Sequence, residues 1–198
     1  MSIDAAFTHF PRLTTNRLLL RQIQPADAEA LFATLSDQEV MQLYGHLPHR
    51  SLNDTHELIG QIQARYSRRE AIRWGITLKG EATVIGSCSL HHFGEGFHHA
   101  ETGYELNRAF WRQGIMGEAV SAILTYGFSE LGLHRIEAII DITNEASKAL
   151  LLKLGFSYEG NLRQRYYIHD RFEDEYYFGL LSDEWQERSR ENAPEISR

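Results

Sequence analysis

The segment from Ala100 to Ile142 constrains the fold more than any other part of the chain. Ala100 to Leu106 reads as a β-strand, and a stretch punctuated by Gly114 and Gly117 leads into a helix expected from about Gly117 to Leu131. Ala119, Ile123, Leu124, Tyr126, Gly127 and Phe128 cluster on one side of that helix, and Gly132 ends it. Ile136 to Ile142 is then a nearly continuous apolar run, as a strand covered on both faces requires. Strand, helix and strand joined in this order form a βαβ crossover.

The flanking segments fit a largely antiparallel sheet around that crossover. Leu18 to Ile23 reads as a strand, and Pro25-Ala26-Asp27 starts a helix whose buried stripe is Ala28, Leu31, Phe32 and Leu35. Asn53 or Ser51 caps a second helix with Leu58, Ile59, Ile62 and Tyr66 at helical spacing and Arg65, Arg68 and Arg69 on its polar face. Ile72 to Leu78 and Thr83 to His92 are β-rich runs around the hairpin signal Lys79-Gly80-Glu81-Ala82. Asn144 is placed to cap a short helix from Glu145 to Leu154, which Gly155 terminates. Phe156 to Ile168 and Phe172 to Leu181 supply two more strands, and the polar residues from Asp183 onward predict a frayed end. The fold class is therefore α/β or α+β, organised as an extension over 1–12, one domain over 13–185 and a polar tail over 186–198.

Composition narrows the function. With 42% hydrophobic residues in 198, the chain has apolar surface for a single core, which excludes disordered and fibrous classes. A formal charge of −7 has the wrong sign for gripping nucleic acid and favours a cationic partner. Cys88 is the one cysteine, so no intrachain disulfide or cysteine-based zinc cluster forms, and a reducing compartment is expected. No signal-like or membrane-spanning apolar run is visible, and the expectation is a cytoplasmic protein without a membrane partner. His91-His92 and His98-His99 flank a glycine turn and raise a zinc hypothesis. Adjacent strand residues point to opposite faces, so a solvated hairpin tip without metal is the expectation, with a base or channel-lining imidazole as a further reading.

Asn107-Arg108-Ala109-Phe110-Trp111-Arg112-Gln113-Gly114-Ile115-Met116-Gly117-Glu118-Ala119 runs from a strand end into a helix start. Unsatisfied N–H groups there point one way at the positive end of the dipole and suit a pyrophosphate, whereas the bland reading is a glycine turn before an ordinary helix. No Gly-Lys-Ser/Thr and no third glycine follow, so neither a P-loop nor a dinucleotide fingerprint is present. Together with Asn144-Glu145-Ala146-Ser147-Lys148-Ala149-Leu150-Leu151-Leu152-Lys153-Leu154-Gly155-Phe156, the segment resembles the GNAT N-acetyltransferase superfamily. Leu13-Thr14-Thr15-Asn16-Arg17-Leu18-Leu19-Leu20-Arg21, Gly103-Tyr104 and Leu154 to Gly160 extend the match, which is similar to the RimJ/RimL branch over roughly Leu13 to Trp185.

The resemblance implies a mixed, mostly antiparallel splayed sheet of about seven strands with helices on both faces. It implies acetyl-CoA as co-substrate, with pyrophosphate on the amides of Arg112, Gln113, Gly114, Ile115, Met116 and Gly117 and the pantetheine arm along Tyr104, Leu106 and Asn107. Asn144 would bond the pantetheine, cap its helix, or do both. Trp111 and Met116 depart from the usual signature, and Leu151 stands where many members carry a tyrosine that protonates the leaving thiolate. Ser147, four residues before Leu151, is the implied substitute, or else a plain helix serine.

The implied acceptor is a primary amine, with the N-terminal α-amine of a protein such as a ribosomal protein first. A small amine, polyamine or antibiotic is the alternative, as is a degenerate module that binds the cofactor without turnover. A homodimer is also compatible. Alternation puts Glu101, Gly103 and Glu105 on one strand face. Glu105 is the first candidate base and Glu101 the second; ordered water without a base, or surface carboxylates pairing with arginines, are the other readings. Tyr44, in Tyr44-Gly45-His46-Leu47-Pro48, and Tyr166 and Tyr167, beside Arg163 and Arg165, are placed to shape the acceptor cleft, or are ordinary sheet aromatics.

Overall fold

The computed structural model describes residues 3–191 except 95, 97 and 169. Its strands are β1 (Leu13–Thr14), β2 (Leu18–Gln22), β3 (Ala71–Leu78), β4 (Val84–His91), β5 (His99–Leu106), β6 (Arg135–Asp141), β7 (Ser157–Ile168) and β8 (Arg171–Leu181). The helices are α1 (Ile3–Thr8), α2 (Ala28–Leu35), α3 (Gln38–Tyr44), α4 (Leu52–Ser67), α5 (Ile115–Ser129), α6 (Glu145–Leu154) and α7 (Ser182–Glu191). One mixed sheet has the order β1-β2-β3-β4-β5-β6-β8-β7, and its eighth strand beyond the expected seven is the two-residue β1. All neighbours are antiparallel except β5 and β6, which the crossover helix α5 connects.

Helices cover both faces. On one, the apolar stripe of α5 (Ala119, Val120, Ile123, Leu124) and Leu151 of α6 bury against Leu20, Ile72, Trp74, Ile76, Cys88 and Leu90. On the other, Ala28, Leu31 and Leu35 of α2 and Ile59 of α4 close over Ile23 and Val84. Asp54 accepts from the Ser51 and Arg50 amides, which makes Ser51 the cap of α4.

Two expectations are corrected. Helix α5 begins at Ile115 rather than Gly117, because Gly114 takes a left-handed φ of 71° and turns the chain two residues earlier. The polar run after Asp183 is helical to Glu191 because Trp185 packs 6.4 Å from Phe128 and Arg188 Nη2 donates to Lys153 O at 2.5 Å. Residues 192–198 of the expected tail lie outside the described residues. The stretch before the first strand is also tied down: Phe7 and Phe10 pack on Tyr66, and the Trp74 indole donates to Pro11 O at 2.7 Å.

Candidate active site

The sheet opens at its one parallel joint. Strands β5 and β6 pair only from His99–Arg135 to Glu101–Glu137, and beyond that they diverge. The Asn107 amide donates to Ile85 O on β4 at 2.8 Å, so by alternation the peptide edges of Gly103 and Glu105 also face β4. Those of Tyr104 and Leu106 turn into the gap. The Leu106 carbonyl accepts from Trp111 Nε1 at 2.7 Å, which fixes the loop and explains what this tryptophan does there. Asn107 is placed differently from expectation: its amide is spent on β4, and its side chain accepts from Ala109 N at 3.0 Å.

Below the gap, the turn into α5 forms the cradle. Arg112 at φ 59° and Gly114 at φ 71° are both left-handed, and this curls the intervening amides toward one centre. Glu118 is the first to find a helical acceptor, Gly114 O at 3.2 Å. Among the described residues, the amides of Arg112 to Gly117 find no backbone acceptor within the chain. They sit at the positive end of a 15-residue helix. The turn is braced from the opposite sheet edge. Glu118 accepts from Thr15 Oγ1 at 2.5 Å, Arg17 N at 2.8 Å and Arg17 Nε at 2.6 Å, while Arg17 Nη1 donates to Gln113 O at 2.9 Å.

The first turn of α6 forms the other wall. Asn144 caps it, accepting from Ser147 N at 2.9 Å, and its Nδ2 donates to Leu43 O at 2.8 Å, which ties α6 to the end of α3. Ser147 is buried, and its hydroxyl lies 2.7 Å from Tyr104 OH across the gap. Burial in the cleft pushes the Tyr104 phenol up to about 12, against the lowering pull of Ser147. Leu151 is wholly in the core, whereas Leu150 lines the cleft.

Three adjoining cavities share these walls. One of about 420 Å³ runs over the cradle, with Ile115, Met116, Asn144 and Ser147 among its lining. A junction of about 260 Å³ lies between β5 and β6, lined by Tyr44, His46, Tyr104, Asp141, Ser147, Tyr166 and Glu175. It adjoins a cavity of about 830 Å³ beside α4, lined by Arg73, His49, His91, Tyr166 and Tyr167. Tyr44 and Tyr166 meet here: the Tyr166 hydroxyl is 3.1 Å from where a Cβ would stand on Gly45, whose φ is 74°. Tyr167, also in the lining of the larger cavity, is 59% exposed and packs edge-on against Phe172 with ring centroids 5.0 Å apart.

The two carboxylates of β5 share a face, as alternation requires, but not an environment. Glu105 is buried, and both oxygens are engaged, by Arg73 Nη2 at 2.7 Å and Ser87 Oγ at 2.5 Å. Neither the exposed-carboxylate reading nor a free base describes it. Glu101 is partly exposed, with His92 Nδ1 at 3.1 Å from its Oε2. The expected separation of adjacent histidines fails, because His92 leaves β4 at φ 48° and its ring returns to within 4.7 Å of the His91 ring. His46 stands at the cavity wall, where partial desolvation, helped by the Arg73 charge, lowers its pKa. Sequence reasoning missed Arg17, Arg73 and the side chain of Tyr104. Each acts through a partner on another element, at separations of 101, 32 and 43 residues, which no local pattern reports.

This arrangement of opened parallel joint, amide cradle and continuous cleft is that of an acyl-carrier-dependent transferase. The profile of the family described as "Acetyltransferase (GNAT) domain" matches residues 17–157, and the chain belongs to this family of acetyltransferases. It is 44% identical over 158 residues to the uncharacterised N-acetyltransferase YoaA of Bacillus subtilis, covering 80% of this chain and 89% of that one. It is 26% identical over 183 residues to the [ribosomal protein uS5]-alanine N-acetyltransferase of Escherichia coli, covering 88% and 92%. A GNAT-family acetyltransferase structure from Bacillus anthracis superposes with a TM-score of 0.78 at 29% identity, covering 87% of this chain and 99% of that one. RimL, a ribosomal alpha-N-protein acetyltransferase solved in complex with coenzyme A, shares the fold at TM-score 0.78 and 21% identity, over 86% and 98%.

Proposed function

We propose that the protein transfers the acetyl group of acetyl-CoA to the α-amine at the N-terminus of a protein, of the ribosomal-protein kind, in a ternary complex in the cytoplasm. The observation that carries this reading is the continuity of the cleft from the unpaired cradle amides, past Tyr104 and Ser147, to the 830 Å³ cavity. Leu47 and Tyr167 line that cavity and Phe172 packs edge-on against Tyr167; all three are exposed hydrophobic side chains, which suit a polypeptide end better than a compact amine. The similarity to the uS5-alanine enzyme points the same way.

In this reading the amides of Arg112 to Gly117 hold the pyrophosphate, and Tyr104 and Leu106 offer their peptide edges to the pantetheine arm. The amine nitrogen bonds to the thioester carbonyl carbon, the carbon–sulfur bond breaks, and coenzyme A leaves as a thiol. Tyr104, kept protonated by burial, supplies the sulfur's proton through or beside Ser147, the task Leu151 cannot perform, and is reprotonated by the second proton the nitrogen sheds as the amide forms. Glu105, with one oxygen bonded to Arg73 and the other to Ser87, holds Arg73 in place rather than acting as the base. His46, neutral near pH 7 and facing the junction, receives the ammonium proton directly or through water.

A second reading, a small cationic acceptor, is favoured by one observation. Asp141 and Glu175 are cross-strand partners lining the junction, and like charges so placed are destabilising unless a cation joins them. The test is a thiol-release screen with acetyl-CoA against peptides with free Ala or Ser N-termini and against polyamines and amino-acid derivatives. Peptides are expected to show the higher kcat/KM by at least about tenfold, equivalent to ~1.4 kcal/mol. Turnover of small amines alone transfers the assignment to the second reading, and binding of acetyl-CoA without thiol release from any amine leaves only a cofactor-binding module.

A further inference from the structure

His91, the last residue of β4, stands directly across from Glu101 of β5, so their side chains leave the sheet on the same face. In an extended strand His92 would point away. Its φ of 48°, a conformation L-residues rarely adopt outside functional or turn positions, brings it back instead. His92 Nδ1 lies 3.1 Å and His91 Nδ1 3.9 Å from the same Glu101 oxygen, and one donor atom from each residue falls within 4.8 Å of the others. Tetrahedral ligands about 2.1 Å from a zinc ion stand about 3.4 Å apart, a spacing that the first two separations bracket. Neither His98 nor His99 belongs to the group.

A second observation is independent of this spacing. His91 Nδ1 is buried and has no hydrogen-bond partner, one of three such side-chain atoms among the described residues. A buried nitrogen left unpaired costs free energy and calls for a partner, a water or an ion. It faces the Glu101 oxygen at 3.9 Å, beyond direct bonding but suited to an ion between them.

We propose that His91, His92 and Glu101 bind a divalent transition-metal ion of the zinc type, at the wall of the acceptor cavity that His91 and His92 line. Two imidazoles and one carboxylate make an N₂O donor set, which suits zinc-like ions and not magnesium or calcium, whose ligands are oxygens. Three protein ligands leave a fourth position for water or for a donor atom of a molecule in the cavity. The site does not depend on which amine is acetylated, or on acetyl transfer at all.

Tag-free protein titrated with Zn²⁺ in competition with a chromophoric chelator tests it. One equivalent is expected to bind. His92→Ala and Glu101→Gln are each expected to weaken binding at least about tenfold, since loss of even an outer-shell partner costs that much. His56→Ala, an exposed histidine on α4, is expected to leave binding unchanged. Co²⁺ loaded into the unaltered chain is expected to give tetrahedral d–d absorption that His92→Ala abolishes. The His92 side chain is 61% exposed, so the variant is expected to keep the parent's circular dichroism. Absence of the d–d bands in the unaltered chain, or equal Zn²⁺ affinity in both variants and the parent, overturns the proposal, and the Co²⁺ measurement decides even if a variant misfolds.

Discussion

At the scale of single residues the chemistry turns on two hydroxyls 2.7 Å apart. Ser147 was legible through the resemblance to the RimJ/RimL branch, which points to it one turn before Leu151. Tyr104 was legible only as a strand residue, since the partner that gives its hydroxyl a task lies on α6. Tyr104→Phe is expected to lower kcat by about 10²-fold, within the range for loss of a positioned proton donor, with little change in the KM for acetyl-CoA. Ser147→Ala is expected to have a smaller effect in the same direction. With its phenol pushed up to about 12, Tyr104 contributes no alkaline fall in kcat in the neutral range or up to about pH 11. A fall near pH 10 that disappears in Tyr104→Phe would show the phenol titrating near its ordinary value, whereas an unchanged kcat in Tyr104→Phe would remove the tyrosine from this role. On the acid side, kcat/KM is expected to decline as pH drops through the lowered His46 value, below about 6.5, and His46→Gln to flatten that limb. If Glu105→Gln flattens it instead, the base is the buried carboxylate after all.

At the scale of elements, the start of α5 shows what pattern reading reaches and where it stops. Glycines and helix periodicity located the cradle to within two residues. The brace from Arg17 to Glu118 was invisible, because it joins positions 101 residues apart that become neighbours only when the sheet forms. Burial works to raise the Glu118 carboxyl, but the bonds from Thr15 and Arg17 together with the Arg17 charge outweigh it and hold the group below the usual carboxylate range. A carboxyl depressed in the fold stabilises above its unfolded value, and that contribution is lost as pH falls through the folded value. Glu118→Gln is therefore expected to cost on the order of 1 kcal/mol at pH 7, a drop of about 2–4 °C in Tm. The difference from the parent should shrink toward pH 3. Arg17→Ala frees the Gln113 carbonyl to swing toward the bound phosphates, and calorimetry should show acetyl-CoA binding weakened by roughly three- to tenfold. Unchanged affinity would mean that the cradle holds its shape without the brace.

At the scale of the whole molecule, the succession of strands and helices along the chain and the single βαβ crossover were readable because apolar periodicity and turn residues are local, whereas the insertion of β8 between β6 and β7 was not. The ends were not: a six-residue helix is too short to show a stripe, and the contacts that order it lie some 60 residues away. Those contacts make the N-terminal stretch part of the domain's stability. Phe10 sits 5.1 Å from Tyr66 and 6.0 Å from Trp74, Phe7 sits 5.4 Å from Tyr66, and the Tyr66 hydroxyl donates to Ala6 O at 2.8 Å. Trp74 is fully buried, and its only indole donor reaches Pro11 O. Deleting residues 1–11 removes two half-buried phenylalanines and bares the Tyr66 and Trp74 surface they cover, at ~1 kcal/mol for each lost ring, and leaves that buried N–H unpaired at a further ~1–3 kcal/mol. A loss of about 3–5 kcal/mol corresponds to a fall of roughly 6–20 °C in Tm for a domain of this length. Trp74→Phe separates the two parts. In the full chain it breaks the bond to Pro11, whereas in the shortened chain it removes a donor that has already lost its acceptor, so its cost there should be smaller by ~1 kcal/mol or more. Equal costs in both backgrounds would show that water reaches the indole once the stretch is gone, and a shortened chain melting within about 2 °C of the parent would show that these aromatics only lie on the core without supporting it.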